Sequence, residues 1–378
     1  MAQQTILTAD NNFEAFDRWL TEHTIHTLLL VCDGSLHFLK IKDYFAELPE
    51  RLGVKAVKFD GFQPNPLYES VVEGVSVFRS EGCEAIAAVG GGSAIDVAKC
   101  IKLYCNMDPE KNYLEQTIVP NDVPLLAMPT TAGTGSEATR YAVIYYNGAK
   151  QSVTHESCIP SAVLFDSGAL KTLPVYQKKS TMLDALCHAL ESFWSVNSTE
   201  ESKEYSRAAI QLILRNRDGY LSGEPTACES MLHAANLAGK AINITQTTAG
   251  HAMCYKLTSL YGIAHGHAAA LCDRVLFPWM LRNTDKCVDP RGTEYLSDTF
   301  REIASAMGCD TAEEASRKFR ELVDSLELSV PSASEEEYEI LKNSVNPTRL
   351  KNHPIALDIE TIDKLYHSIL ESCDIDGK

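Results

Sequence analysis

Apolar residues in the first half of the chain come in short runs that end in turn residues. TLLLVCD, from Thr27 to Asp33, and the alternating VKAVKF, from Val54 to Phe59, predict two strands. Leu67 to Ser80 carries apolar residues at helical spacing and leads into CEAIAAV, a buried-strand pattern followed at once by GGGS. VPLLAMP repeats the arrangement and ends in TTAGTGSE. Strands alternating with helices over about the first 170 residues predict an open α/β sheet with functional turns at its strand ends. Beyond Leu173 and Pro174 the period changes. Lys178–Ser195, Glu201–Leu214 and Ser230–Asn243 read as long helices, so the second half is expected to be all-helical. With no internal repeat or flexible linker, the expectation is two directly packed domains, 1–173 and 174–378, with the active site in the cleft between them.

Composition narrows the function. A chain of 378 residues with 45% hydrophobic content is long enough for two cores. Its net charge of −17 disfavours nucleic acid as a partner, while leaving room for a local basic pocket that takes a small anion. The first twenty residues lack a basic flank followed by an apolar run, and no stretch is apolar enough for a membrane span, so the expectation is a soluble cytoplasmic protein. Twelve cysteines without a CxxC pair argue against a zinc ribbon or a disulfide framework and for buried thiols in a reducing compartment.

Two turns carry phosphate-binding chemistry. Gly90, Gly91 and Gly92 precede a helix opening with Ser93 and Asp96 at a spacing like that of a capping box. Glycines let backbone N–H groups approach an anion, and the helix N-terminus adds donors and the positive end of its dipole, as pyrophosphate requires. Thr130, Thr131, Ala132, Gly133, Thr134, Gly135, Ser136 and Glu137 form a second hydroxyl-rich turn after a strand, and two such turns together fit one dinucleotide. Asp33, at the end of the first strand, could accept from a ribose 2′-OH and repel a 2′-phosphate, favouring NAD(H) over the alternative NADP(H). It could equally cap the turn that begins at Gly34.

In LDALCHALESF, Asp184 and His188 stand four residues apart, one helical turn on one face, among apolar neighbours where a metal would compensate the buried carboxylate. His251 and His265 follow, fourteen residues apart. One carboxylate and three imidazoles suffice for a divalent cation with an open position for substrate. His267 is a further candidate, for donating or relaying a proton.

GGGSAIDVAK, PTTAGTGSE, DALCHALE and HAMCYKLTSLYGIAHG, in this order and spacing, resemble the iron-containing alcohol dehydrogenase family over most of the chain. The resemblance implies an N-terminal Rossmann-like dinucleotide domain and an all-α C-terminal domain, the dehydroquinate synthase-like architecture. It also implies a homodimer, and a metal, Fe²⁺ with Zn²⁺ as the alternative, on Asp184, His188, His251 and His265. For NAD it implies Asp33, Asn65, Gly91, Gly92, Ser93, Asp96, Thr130, Thr131 and Lys150, with Thr134 in the same turn. Tyr255 stands where many members have a fourth His, so Tyr255 and His267 are the proton-handling candidates, and Met182 replaces a usual glycine. The implied reaction is hydride transfer between nicotinamide and a small primary alcohol or aldehyde. Arg140, close after the second turn where similar proteins place substrate-pocket residues, suits capture of an anionic substrate, and AGHAMCYKLTSLYGIAHGHA with the later NPTRLKNHP, carrying Arg349 and Lys351, looks like the phosphonoacetaldehyde reductase branch. The competing readings are a general short-chain alcohol or sulfoacetaldehyde reductase, a polyol-phosphate dehydrogenase or dehydroquinate-synthase-like enzyme, and a non-catalytic nucleotide-binding module.

Overall fold

The computed structural model describes residues 4–10 and 12–371. Among the described residues eight strands form: β1 (Thr5–Thr8), β2 (Thr27–Cys32), β3 (Lys55–Phe59), β4 (Ala85–Gly90), β5 (Leu125–Pro129), β6 (Tyr141–Tyr146), β7 (Ala149–Thr154) and β8 (Ala162–Phe165). Four helices accompany them: α1 (Glu14–Glu22), α2 (Ile41–Leu52), α3 (Tyr68–Ser80) and α4 (Gly92–Tyr104). Six strands pair in parallel in the order β1-β8-β5-β4-β2-β3. Because side chains alternate along a strand, Leu29, Val31, Ile86, Ala88 and Ala127 enter a core with α3 and α4. Leu28, Leu30, Ala87, Val89, Leu126 and Met128 enter another with α1 and α2. Burial on both faces makes these strands continuous apolar runs, the pattern expected of a parallel sheet covered on both sides.

Two features were not expected from the sequence. β1 is a four-residue edge strand with little apolar signature, and β6 and β7 form an antiparallel hairpin turning at Asn147 and Gly148, both at positive φ (51° and 74°). The capping box expected at Ser93 and Asp96 does not form. Gly91, which has no side chain to cap with, is the N-cap of α4, Ser93 lies inside the helix, and the Asp96 carboxylate is engaged elsewhere.

Ten further helices follow: α5 (Val175–Trp194), α6 (Glu200–Ser222), α7 (Pro225–Thr245), α8 (Ala249–Tyr261), α9 (His265–Arg282), α10 (Gly292–Ala306), α11 (Ala312–Ser325), α12 (Glu335–Ser344), α13 (Pro347–Leu350) and α14 (Ile359–Leu370). The chain separates into two compact units, one of residues 1–174 with 222–232, the other of 175–221 and 233–378. In the second unit α5 is buried at every position from Met182 to Trp194 and packs along α9, which also packs on α8. Gly266, near the start of α9, is what lets the two helices meet, since a Cβ there would lie 2.1 Å from the Ser180 carbonyl and 2.5 Å from the Asp184 Cβ. Among the described residues no helix is long and apolar enough to cross a membrane, and the described cysteines are all free thiols.

Candidate metal centre and cofactor turns

In the first unit the two predicted turns are tied to each other. Thr130 N–H donates to the Gly90 carbonyl at 3.0 Å. Asp96 accepts from Ser136 Oγ at 2.6 Å and from the Val143 backbone N–H at 2.9 Å. Lys99, fully buried, donates to Ser136 Oγ, Thr139 Oγ1 and the Thr139 and Tyr141 carbonyls. Burial pushes the Asp96 carboxyl up and the Lys99 ammonium down, each opposed by the other's charge. Lys150, which faces Tyr145 across the hairpin, adds its field at Asp96. Asn65, exposed and at positive φ, lies just before the segment whose Pro66 carbonyl accepts from the Tyr145 N–H at 2.8 Å. Asp33 takes the capping role the sequence allowed, Oδ1 accepting from Ser35 N–H at 2.9 Å, and its Oδ2 accepts from Gly91 N–H at 3.3 Å. Sequence reasoning missed Lys99 and Ser136 as the clamp between the turns.

In the second unit Asp184, His188 and His251, all buried, present ligand atoms within 4.8 Å of one another. The i, i+4 spacing on α5 places the first two on one face, and the third residue of α8 brings the third against them. The His188 and His251 rings stack at 4.4 Å, and His251 Nε2 stands 3.5 Å from Asp184 Oδ1. Neither of those two atoms has a hydrogen-bond partner among the described residues. Buried polar atoms left in this state are costly, so the donor set fits a divalent cation. Burial pushes the Asp184 carboxyl up, but the imidazoles of His188, His251 and His265 outweigh it and hold it well below its usual range. Burial likewise pushes His251 down, and Glu191 and Asp184 outweigh that, raising it to about 10.

His265, at the first position of α9, lies beside this trio. Its ring centroid is 5.3 Å from that of His251, and its Nδ1 is 3.6 Å from Cys254 Sγ. Tyr255 stacks on His265 with ring centroids 5.3 Å apart, and the Arg349 guanidinium lies over the Tyr255 ring, 5.1 Å from its centroid. Burial pushes the Tyr255 phenol up, Arg349 opposing it, so it stays protonated at neutral pH. His267 is buried with Nδ1 3.1 Å from Tyr176 Oη and its backbone N–H on Ser180 Oγ at 3.1 Å. Arg140 is paired with Glu156 at 2.7 Å and lies over Tyr141. Glu191, Asp273 and His353, all buried near His251, were not singled out from the sequence. For Glu191 a signal existed, since Asp184, His188 and Glu191 follow i, i+4, i+7 along α5.

Residues 3–167 match the family model described as iron-containing alcohol dehydrogenase, and residues 178–370 match the Fe-containing alcohol dehydrogenase family, C-terminal. The chain belongs to the iron-containing alcohol dehydrogenase family. It is therefore an oxidoreductase. It is similar to phosphonoacetaldehyde reductase of Streptomyces viridochromogenes, 30% identical over 312 residues that cover 79% of each chain. It is also similar to 1,3-propanediol dehydrogenase of Citrobacter freundii, 34% identical over 292 residues, 75% of this chain and 72% of that one. Among solved structures, sulfoacetaldehyde reductase from Bifidobacterium kashiwanohense in complex with NAD+ superposes with a TM-score of 0.83 at 25% identity, covering 99% of this chain and 98% of that one.

Proposed function

We propose that the protein is a metal-dependent, NAD-linked reductase of a small aldehyde bearing a phosphonate or sulfonate, with phosphonoacetaldehyde as the best candidate and 2-hydroxyethylphosphonate as its product. The observation that carries the anionic preference is the stack of Arg349 on Tyr255 on His265, which sets a half-buried guanidinium one ring away from the metal-ligand cluster. Arg140 is less suited to this task because Glu156 already neutralises it. A bidentate guanidinium clamp on a phosphonate or sulfonate fixes the far end of a two-carbon substrate and so places its carbonyl.

Asp184, His188, His251 and His265 would hold the metal. The first-unit turns around Gly91, Gly92, Ser93, Thr130, Thr131 and Thr134, flanked by Asp33, Asn65, Asp96 and Lys150, would hold the dinucleotide. When bound, the metal supplies Lewis acidity to the substrate oxygen and the nicotinamide supplies or takes the hydride. Asp184 offsets charge that the imidazoles cannot, and the apolar face of α5 around it keeps water out. Tyr255, its phenol protonated, serves as a wall between Arg349 and His265 and not as a base. His267, bonded to the partly exposed Tyr176 hydroxyl, would move protons along that side of α9.

The test is NADH oxidation by the Fe²⁺-loaded protein with phosphonoacetaldehyde, sulfoacetaldehyde and the uncharged propionaldehyde. The expected result is a clear preference in kcat/KM for an anionic aldehyde. Equal or reversed rates would leave a general short-chain alcohol dehydrogenase in its place.

A further inference from the structure

Glu191 is fully buried and uses both carboxylate oxygens. Oε2 accepts from the Thr248 backbone N–H at 2.5 Å and from Thr248 Oγ1 at 2.6 Å. Oε1 accepts from the His251 backbone N–H at 3.0 Å and meets the His251 ring at Nδ1. Thr248 is the N-cap of α8 and makes no side-chain cap of its own, so a residue from α5 satisfies the helix's first donors. Trp194 Nε1 donates to Thr248 Oγ1 at 3.0 Å and turns that hydroxyl's hydrogen towards Glu191. The helix start leaves room for this only because residue 250 is glycine. A Cβ on Gly250 would lie 2.7 Å from Glu191 Oε1 and 2.1 Å from the Asp273 carboxylate, which closes the pocket from α9.

An ionised carboxylate has no proton to give, so Nδ1 of His251 must be the donor in that contact. That leaves Nε2, the atom 3.5 Å from Asp184 Oδ1, as the nitrogen that would face a bound metal once it gives up its proton. We propose that Glu191 is a positioning residue that, in one carboxylate, caps α8 and fixes the ring and tautomer of His251 for metal binding. The inference rests on the metal-dependent reading given above. A ligand imidazole held by a carboxylate at its other nitrogen binds metal better because it is pre-oriented and more basic.

The test is a titration of the full-length, metal-stripped protein with Co²⁺, followed by its visible absorption, beside an NAD+ titration of the same samples. Glu191→Gln should weaken Co²⁺ binding about 10- to 100-fold and change the visible spectrum, while NAD+ affinity stays at the wild-type value. Gly250→Ala, which pushes Glu191 away without altering it, should weaken Co²⁺ in the same direction. Wild-type Co²⁺ affinity in both variants, or a parallel loss of NAD+ affinity that marks general unfolding, would overturn the inference. Wild-type protein that binds no Co²⁺ would overturn the metal reading and this inference with it.

Discussion

The Asp96 carboxylate accepts a hydrogen bond from Ser136 Oγ at 2.6 Å, joining the helix that follows the glycine turn to the hydroxyl-rich turn forty residues on. Asp96 is thus a brace between the two segments that would grip the pyrophosphate. Asp96→Ala removes a charge-assisted bond and leaves Lys99 buried beside an uncompensated pocket, at a cost of about 1.5 to 3 kcal/mol in the bound geometry. NADH affinity, followed by the coenzyme's fluorescence, should fall by at least about tenfold. Unchanged affinity would show that the two turns are held together by other means.

Asp33 spends Oδ1 on Ser35 and Oδ2 on Gly91. A ribose hydroxyl would have to share these oxygens, and a 2′-phosphate would meet their charge. The wild-type protein should therefore favour NADH over NADPH, and Asp33→Ser should narrow that ratio of kcat/KM by about tenfold or more. Comparable efficiency with both coenzymes in the wild type would remove Asp33 from this role.

Asp184 is the sole carboxylate in the ligand trio. Asp184→Asn keeps the volume but removes the charge, so bound metal in the purified protein, measured by elemental analysis, should drop to background. Aldehyde reduction should fall at least about a hundredfold. Full metal retention in this variant would place the ion elsewhere.

His353 is buried and neither ring nitrogen has a hydrogen-bond partner among the described residues. Burial lowers its pKa from 6.5 to about 4. Its folded pKa lies below its unfolded one, so between about pH 6.5 and 4 the unfolded chain takes up a proton that the folded chain refuses. The stabilisation is complete above pH 6.5 and is lost as pH falls through that window, by about 3 kcal/mol in all. Urea unfolding at pH 7, 5.5 and 4.5 should show a shallower loss for His353→Gln than for the wild type. Parallel losses would mean that His353 protonates without opening the structure.

Much of this was legible in the sequence because it is written locally. The runs TLLLVCD and CEAIAAV are strands because both their faces are covered, and DALCH places two candidate ligands on one helical face. The Asn147-Gly148 turn is a local hairpin signal that went unread, because the alternation in the flanking strands is weak. What could not be read is contact between distant segments. Glu191 needs Thr248 and His251, Asp96 needs Ser136, and Arg349 needs Tyr255; each pairing is made by packing and not by spacing. Arg140, expected to meet an anion, is paired with Glu156, a contact made between separate segments as well.

In the proposed function, Arg349 reads the anionic end of the substrate beside the candidate metal cluster. The most direct test is kcat/KM of wild type and Arg349→Ala with phosphonoacetaldehyde and with propionaldehyde. A lost charged hydrogen bond of about 1.5 to 3 kcal/mol should lower the value for phosphonoacetaldehyde by about 10- to 150-fold and leave that for propionaldehyde unchanged. An equal fall with both aldehydes, or no fall with either, would contradict it.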